Sequence, residues 1–144
     1  LEGLATAYTS LVYTGLADAV SEGVSTMQTA GFAPNAVMLN PADWLAIVVA
    51  KGTGDGQYLT GNYLETLPLT LRGLRVGLSA NVDAGKALLM DTAFVEAAVV
   101  NSMTFEVGLD GNDFTKNLFT VLSEMRASLT FRGRGAARLI TPKA

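Results

Sequence analysis

From Leu16 to Ala30 the apolar residues Leu16, Val20, Val24 and Met27 recur at helical spacing, and Gly31 follows as a stop. The pattern predicts one amphipathic helix. Pro34 and Asn35 then turn the chain into Ala36-Val37-Met38-Leu39, a short apolar run that reads as a buried strand. Asn40-Pro41-Ala42-Asp43 has the make-up of a helix start. An Asn at the N-cap accepts a backbone N–H, a Pro at the first helical position gives up no useful donor, and an Asp in the first turn suits the helix dipole. This second helix is expected to run through Trp44, Leu45, Ile47 and Val48 to about Ala50. It ends in a loop where Gly52, Gly54 and Gly56 leave the backbone too free for regular structure.

Tyr58 to Leu69 reads as an irregular connection, punctuated by Gly61 and Pro68. Strand-like runs dominate the second half of the chain: Leu74 to Ser79, Ala87 to Met90, Phe94 to Val100 and Met103 to Val107. Asn101-Ser102 is taken as a tight turn between the last two. A loop over Gly108 to Asn112 precedes the β-forming stretch Leu118 to Phe131, and Ala136 to Thr141 gives a final strand. Helices come early and strands late, so the class is α+β, with a mixed or antiparallel sheet flanked by two helices.

The 144 residues suit about one compact domain. Apolar residues make up 49% and charged residues only 16%, which is more hydrophobic surface than a small monomer easily hides and points to subunit contacts. The longest uninterrupted apolar stretch, Trp44 to Ala50, is far short of the roughly 20 residues a membrane helix needs. The beginning of the chain also lacks the basic start of a signal peptide, so a soluble, unexported chain without membrane contact is expected. Charge is uneven. Leu1 to Asp113 carries 12 acidic and 4 basic residues, a net −8, whereas Phe114 to Ala144 carries 1 acidic and 6 basic, a net +5. Asp113 is thus the only candidate boundary. The basic residues Arg126, Arg132, Arg134, Arg138 and Lys143 lack interleaved stacking aromatics, which argues against a dedicated nucleic-acid surface.

With no His and no Cys, zinc, haem-histidine and thiol chemistry are excluded at once. Ala84-Gly85-Lys86-Ala87 lacks the first glycine and the hydroxyl residue of a phosphate loop. Gly77-Leu78-Ser79-Ala80-Asn81 lacks the second glycine of a nucleophile elbow and has no base. Asp110, Asn112 and Asp113 have neither the spacing nor the closing Glu of an EF-hand and read as a solvated turn. Glu96, Glu106 and Glu124 fall in strands where alternation turns polar residues to solvent. No cofactor, metal or catalysis is expected. Trp44, the single Trp, reads as a core or interface anchor.

Gly31-Phe32-Ala33-Pro34-Asn35-Ala36-Val37-Met38-Leu39-Asn40-Pro41-Ala42-Asp43-Trp44, followed by Asp55-Gly56-Gln57-Tyr58-Leu59, resembles the central part of HK97-type phage major capsid proteins. Leu71-Arg72-Gly73-Leu74-Arg75-Val76 is similar to that family's L-x-G-x-x-V strand. Asp113-Phe114-Thr115-Lys116-Asn117-Leu118 with Glu124-Met125-Arg126 is similar to its F-x-x-N and E-x-R stretch. The resemblance spans most of residues 14 to 141 in the family's order. It implies that residues 1–113 form the axial-type lobe and that residues 114–144 return as strands to the peripheral-type lobe. The chain then corresponds to the C-terminal portion of a subunit whose arm, extended loop and spine helix come earlier. One family member seals its shell by an isopeptide bond between a Lys and an Asn, assisted by a Glu, and Asn117 and Glu124 match the latter two positions. The family's Pro before its last strand is replaced here by Arg132-Gly133-Arg134-Gly135, and its aromatic by Ala137.

The resemblance implies a structural role: copies of the chain assemble into pentamers and hexamers of an icosahedral shell, in the host cytoplasm, and enclose DNA in the virion without reading its sequence. Gly52, Gly54 and Gly56 are expected to face neighbours near the capsomer axis, with Trp44 and Arg126 as further interface candidates. Without the earlier elements, the isolated chain is expected to be a monomer or a small ring whose contacts weaken in salt. An encapsulin-type nanocompartment shell has the same fold and a different cargo. A small-molecule-binding α+β domain using carboxylates is the alternative of another class.

Overall fold

The structure, a computed structural model, describes residues 5–51 and 69–144. Gly52, Gly54 and Gly56 lie outside the described residues. The elements run β1 (Thr6–Thr9), α1 (Leu16–Thr29), β2 (Ala36–Leu39), α2 (Pro41–Val48), β3 (Thr70–Leu71), β4 (Leu74–Leu78), β5 (Ala87–Met90), β6 (Val95–Gly108), α3 (Asp113–Lys116), β7 (Thr120–Phe131) and β8 (Ala137–Thr141). A short 3-10 turn, Thr92–Phe94, precedes β6.

The chain divides into two compact units: residues 1–94 with 131–144, and residues 95–130. The first holds a six-stranded mixed sheet in the order β1-β8-β5-β2-β4-β3. β1 runs parallel to β8 and β2 parallel to β4, while β5 is antiparallel to both β8 and β2. All four residues of β5 are buried, as suits a central strand written Ala-Leu-Leu-Met. The core joins Val37 and Leu39 of β2, Leu74 and Val76 of β4, Ala87 and Leu89 of β5 and Ile140 of β8 to Ala19, Val20 and Met27 of α1. At Gly23 the helix comes so close to the sheet that a Cβ would stand 2.6 Å from Ile140 Cδ1.

Polar groups, from the buried Asp91 to the exposed Asn35–Thr92 pair, fix the connections around this sheet. The Glu22 carboxylate, in the middle of α1, accepts the Tyr8 hydroxyl (2.7 Å), the Ser10 hydroxyl (2.6 Å) and the Leu11 N–H (3.0 Å). It thereby gathers β1 and the turn after it onto the helix. Asp91, nearly fully buried, accepts the N–H groups of Ala33 (2.9 Å) and Ala93 (3.0 Å). Asn35 and Thr92 exchange two hydrogen bonds. Asn40 caps α2: its Oδ1 accepts from Ala42 N (3.0 Å) while its Nδ2 donates to Val82 O (2.8 Å).

The second unit consists of β6, α3 and β7, with β6 and β7 forming a two-stranded sheet. Thr104 Oγ1 lies 3.5 Å from Glu124 O and Thr130 Oγ1 3.5 Å from Glu96 O, so the strands are antiparallel. Two expectations are corrected here. There is no turn at Asn101-Ser102, because β6 runs unbroken from Val95 to Gly108 and its hairpin partner is β7. A two-residue hairpin turn favours residues that accept positive φ, such as Asn-Gly, and Ser102 is not one. The apolar parity, Val95, Ala97 and Val99 before the pair and Met103, Phe105 and Val107 after it, continues through. The charge boundary at Asp113 also differs from the packing boundary, since it falls inside this unit between its two strands.

The chain leaves and re-enters the first unit at one place. Arg132 N donates to Phe94 O (2.9 Å), and Asp91 N to Ala136 O (2.8 Å). Phe32 and Phe94 meet edge to face at 5.2 Å, and the chain crosses them at Gly133, where a Cβ would stand 2.9 Å from Phe32 Cε1 and 3.2 Å from Phe94 Cδ1. The Arg-Gly-Arg-Gly sequence therefore suits this crossing.

Gly133→Ala is expected to cost about 1–3 kcal/mol, the usual penalty of overpacking, read by urea unfolding. Asn40→Ala is expected to cost about 1 kcal/mol by the same measurement, as for other N-caps. The Ser10 hydroxyl, the Leu11 N–H, the Tyr8 hydroxyl and the Val12 N–H together hold the Glu22 carboxyl down from 4.5 to about 2. A carboxyl that is more acidic in the folded chain adds stability above its unfolded value, and this is lost as pH falls from 4.5 towards 2. Unfolding midpoints measured across that range are expected to drop more steeply for the wild type than for Glu22→Gln.

Candidate assembly surfaces

The residues singled out from sequence fall in separate places. Trp44 is half-buried and packs with Ile47 against the core of the first unit. Asn117 ends α3 in the left-handed conformation (φ 56°, ψ 42°), and Glu124 and Arg126 stand on β7. Two residues apart on a strand, their side chains share a side, and Arg126 Nε donates to Glu124 Oε1 at 2.9 Å. Both are exposed, so the pair adds little stability, but each charge already has a partner within the strand.

What the sequence reading missed is how little of the second unit is covered. Every described residue of β6 after Val95 is exposed, and so is every residue of β7 before Phe131. Phe105 is 67% exposed, Val107 70% and Phe119 69%. Val99, Met103, Phe105 and Val107 on β6 and Val121, Met125 and Leu129 on β7 stand at odd positions, with Glu96, Glu106, Glu124 and Arg126 at even ones, while Val100 and Leu122 depart from the rule and are exposed as well. That alternation is the signature of a strand with one apolar side, and over Met103–Val107 it is legible in the sequence. A two-stranded hairpin is marginal in water by itself, and an apolar row this long is above the scattered exposure a monomer shows.

The tip of the hairpin is built to be ordered. Asp113 Oδ2 accepts Asp110 N (3.0 Å) and the Thr120 hydroxyl (2.7 Å), and these bonds, the backbone one first, hold its carboxyl below the usual range. Phe114, on the single turn of α3, is 81% exposed. Asp110 and Asp113 thus spend their hydrogen bonds on the turn itself. Among the described residues no three His, Cys, Asp or Glu side chains stand together in a way that could hold a metal ion, and no helix is long and apolar enough to cross a membrane.

No family model and no curated protein matches the chain. Solved structures do. A structure from Microbacterium phage Oxtober96 superposes with a TM-score of 0.72 at 13% identity, over 95% of this chain and 51% of that one. The capsid of a native GTA particle gives 0.70 at 15% identity, over 97% and 50%. The virus-like particle from Pyrococcus furiosus gives 0.61 at 15% identity, over 95% and 56%. The chain therefore spans about half the length of the chains it matches. Identities this low speak for architecture alone, and on that they agree: the chain has the HK97-like α+β capsid fold.

Proposed function

We propose that the chain is part of a shell subunit, and that its work is self-association into five- and six-membered rings of an icosahedral capsid enclosing DNA. The observation that carries this reading is the exposed β6–β7 hairpin in a chain of capsid fold, an apolar surface of the kind that marks association. The first unit corresponds in this reading to the axial-type lobe, and the hairpin unit to the peripheral-type lobe. The mechanism is packing rather than turnover, and DNA is held by enclosure, without base contacts. The location is the virion, after assembly in the host cytoplasm. A nanocompartment shell differs from this in its content, protein instead of nucleic acid.

Electrostatics contributes to the contacts. The hairpin unit carries 5 acidic and 2 basic residues, while residues 131–144 carry 4 basic and no acidic ones. Opposite surfaces of neighbouring copies attract one another, and salt screens the attraction.

Sedimentation of the purified chain at low and high salt, with electron microscopy of the fractions, tests the reading. Small rings or oligomers that weaken in salt are expected, and replacing Phe105 and Phe119 together by Ser is expected to reduce them without lowering the unfolding midpoint. Oligomers that form equally well after the Phe105 and Phe119 replacements overturn the reading. Particles recovered from cells with nucleic acid inside support a capsid, and particles filled with protein favour the nanocompartment.

A further inference from the structure

The register of the sheet sets Thr70 of β3 beside Arg75 of β4, Arg75 beside Ala36 of β2, and Ala36 beside Met90 of β5. Leu74, Val76 and Val37 belong to the core under α1, so by alternation this row of side chains lies on the opposite face of the sheet. Ala36 is its smallest member and leaves a hollow there. A pocket of about 410 Å³ opens at this place, lined by Asn35, Ala36, Thr70, Gly73, Arg75 and Thr92. That volume lies towards the small end of the range for small-molecule sites.

The lining is rich in donors and holds no carboxylate. Arg72, Lys86 and Arg126 each stand against an acidic side chain, whereas among the described residues no carboxylate pairs with the guanidinium of Arg75. Thr92 Oγ1 accepts from Asn35 Nδ2 (2.8 Å) and its backbone N donates to Asn35 Oδ1 (3.1 Å), so the wall is fixed and the Thr92 O–H is left to donate. Thr70 adds a second hydroxyl, from β3. The Arg75 backbone N–H is held by Asn35 O (3.0 Å), which anchors the strand beneath its side chain.

We propose that this pocket is an oxyanion site that takes a phosphate group, with Arg75 as the charged ligand and the Thr70 and Thr92 hydroxyls as the other donors. A guanidinium fork binds two oxygens of a phosphate, and a tetrahedral ion has further oxygens for donors on other strands, which a planar carboxylate lacks. A free phosphate ion and the phosphodiester backbone of nucleic acid offer this chemistry alike. The inference does not rest on the self-association reading, because the site lies within one chain.

Phosphorus NMR of inorganic phosphate, titrated with the chain at constant ionic strength, tests it in any state of association. Saturable line broadening with a Kd of about a few millimolar is expected, the scale of a single solvated guanidinium contact. Arg75→Gln is expected to raise the Kd about tenfold or more, with the unfolding midpoint unchanged, since the backbone bond to Asn35 remains. Ala36→Val, which fills the hollow and leaves every donor in place, is expected to weaken binding in the same direction. A short oligodeoxynucleotide that displaces the ion makes the nucleic-acid backbone the source, and one without effect leaves the free ion as the ligand; both outcomes support the site. Broadening that does not saturate, that persists in Arg75→Gln, or that acetate abolishes at equal concentration overturns it.

Discussion

The sheet depends on the position of β8, the strand inserted between β1 and β5. Among the described residues β1 has no other neighbour in the sheet, and Ile140 of β8 is the side chain that lies against Gly23 of α1. For β8 to reach that slot, the chain must return to the point from which it left for the hairpin. The bond from Arg132 N to Phe94 O and the Phe32–Phe94 ring pair under Gly133 fix that return. A side chain at Gly133 would compete with the rings for the same space, which is why the crossing is written without one.

Polar and apolar groups divide the remaining work. Glu22, Asp91, the Asn35–Thr92 pair and Asn40 tie connections to the sheet through hydrogen bonds to nearby backbone and hydroxyl groups. Much of the apolar surface is left outside, on β6, β7, α2 and the Leu11–Tyr13 turn. The first unit has a buried core of its own, whereas β6 and β7 are exposed along nearly their whole length, which is the distribution expected of a chain that completes its burial in company.

Local signals made α1, β2, α2 and β5 legible, since helical spacing, a cap and an uninterrupted apolar run each act within a few residues. β1 was not legible. Thr6–Thr9 has no pattern of its own, and its partner begins at Ala137. Asn101-Ser102 misled because two polar residues resemble a turn when the parity on either side is not followed across them. The change of charge at Asp113 misled because charge reports what the surface carries and not which strands pair. For the surfaces, alternation was legible over Met103–Val107 of β6, but a period of two cannot say whether the apolar side is covered. Glu124 and Arg126 stood out individually, and the strand geometry that makes them partners came only with the fold. Glu22 gave no sign, because its importance lies in Tyr8, Ser10 and Leu11, which a single-helix pattern does not connect to it.

The slot filled by β8 also sets an order of events during synthesis. Residues 137–141 leave the ribosome after the whole hairpin, and until they do, β1 has no strand to pair with and β5 has an open edge. Contacts between segments far apart in sequence close slowly, because the loop between them must first be ordered. The first unit is therefore finished only after the hairpin has been made, so a nascent chain presents its apolar hairpin before its own core is sealed, and early exposure to other copies favours mispairing at that open edge over ordered association.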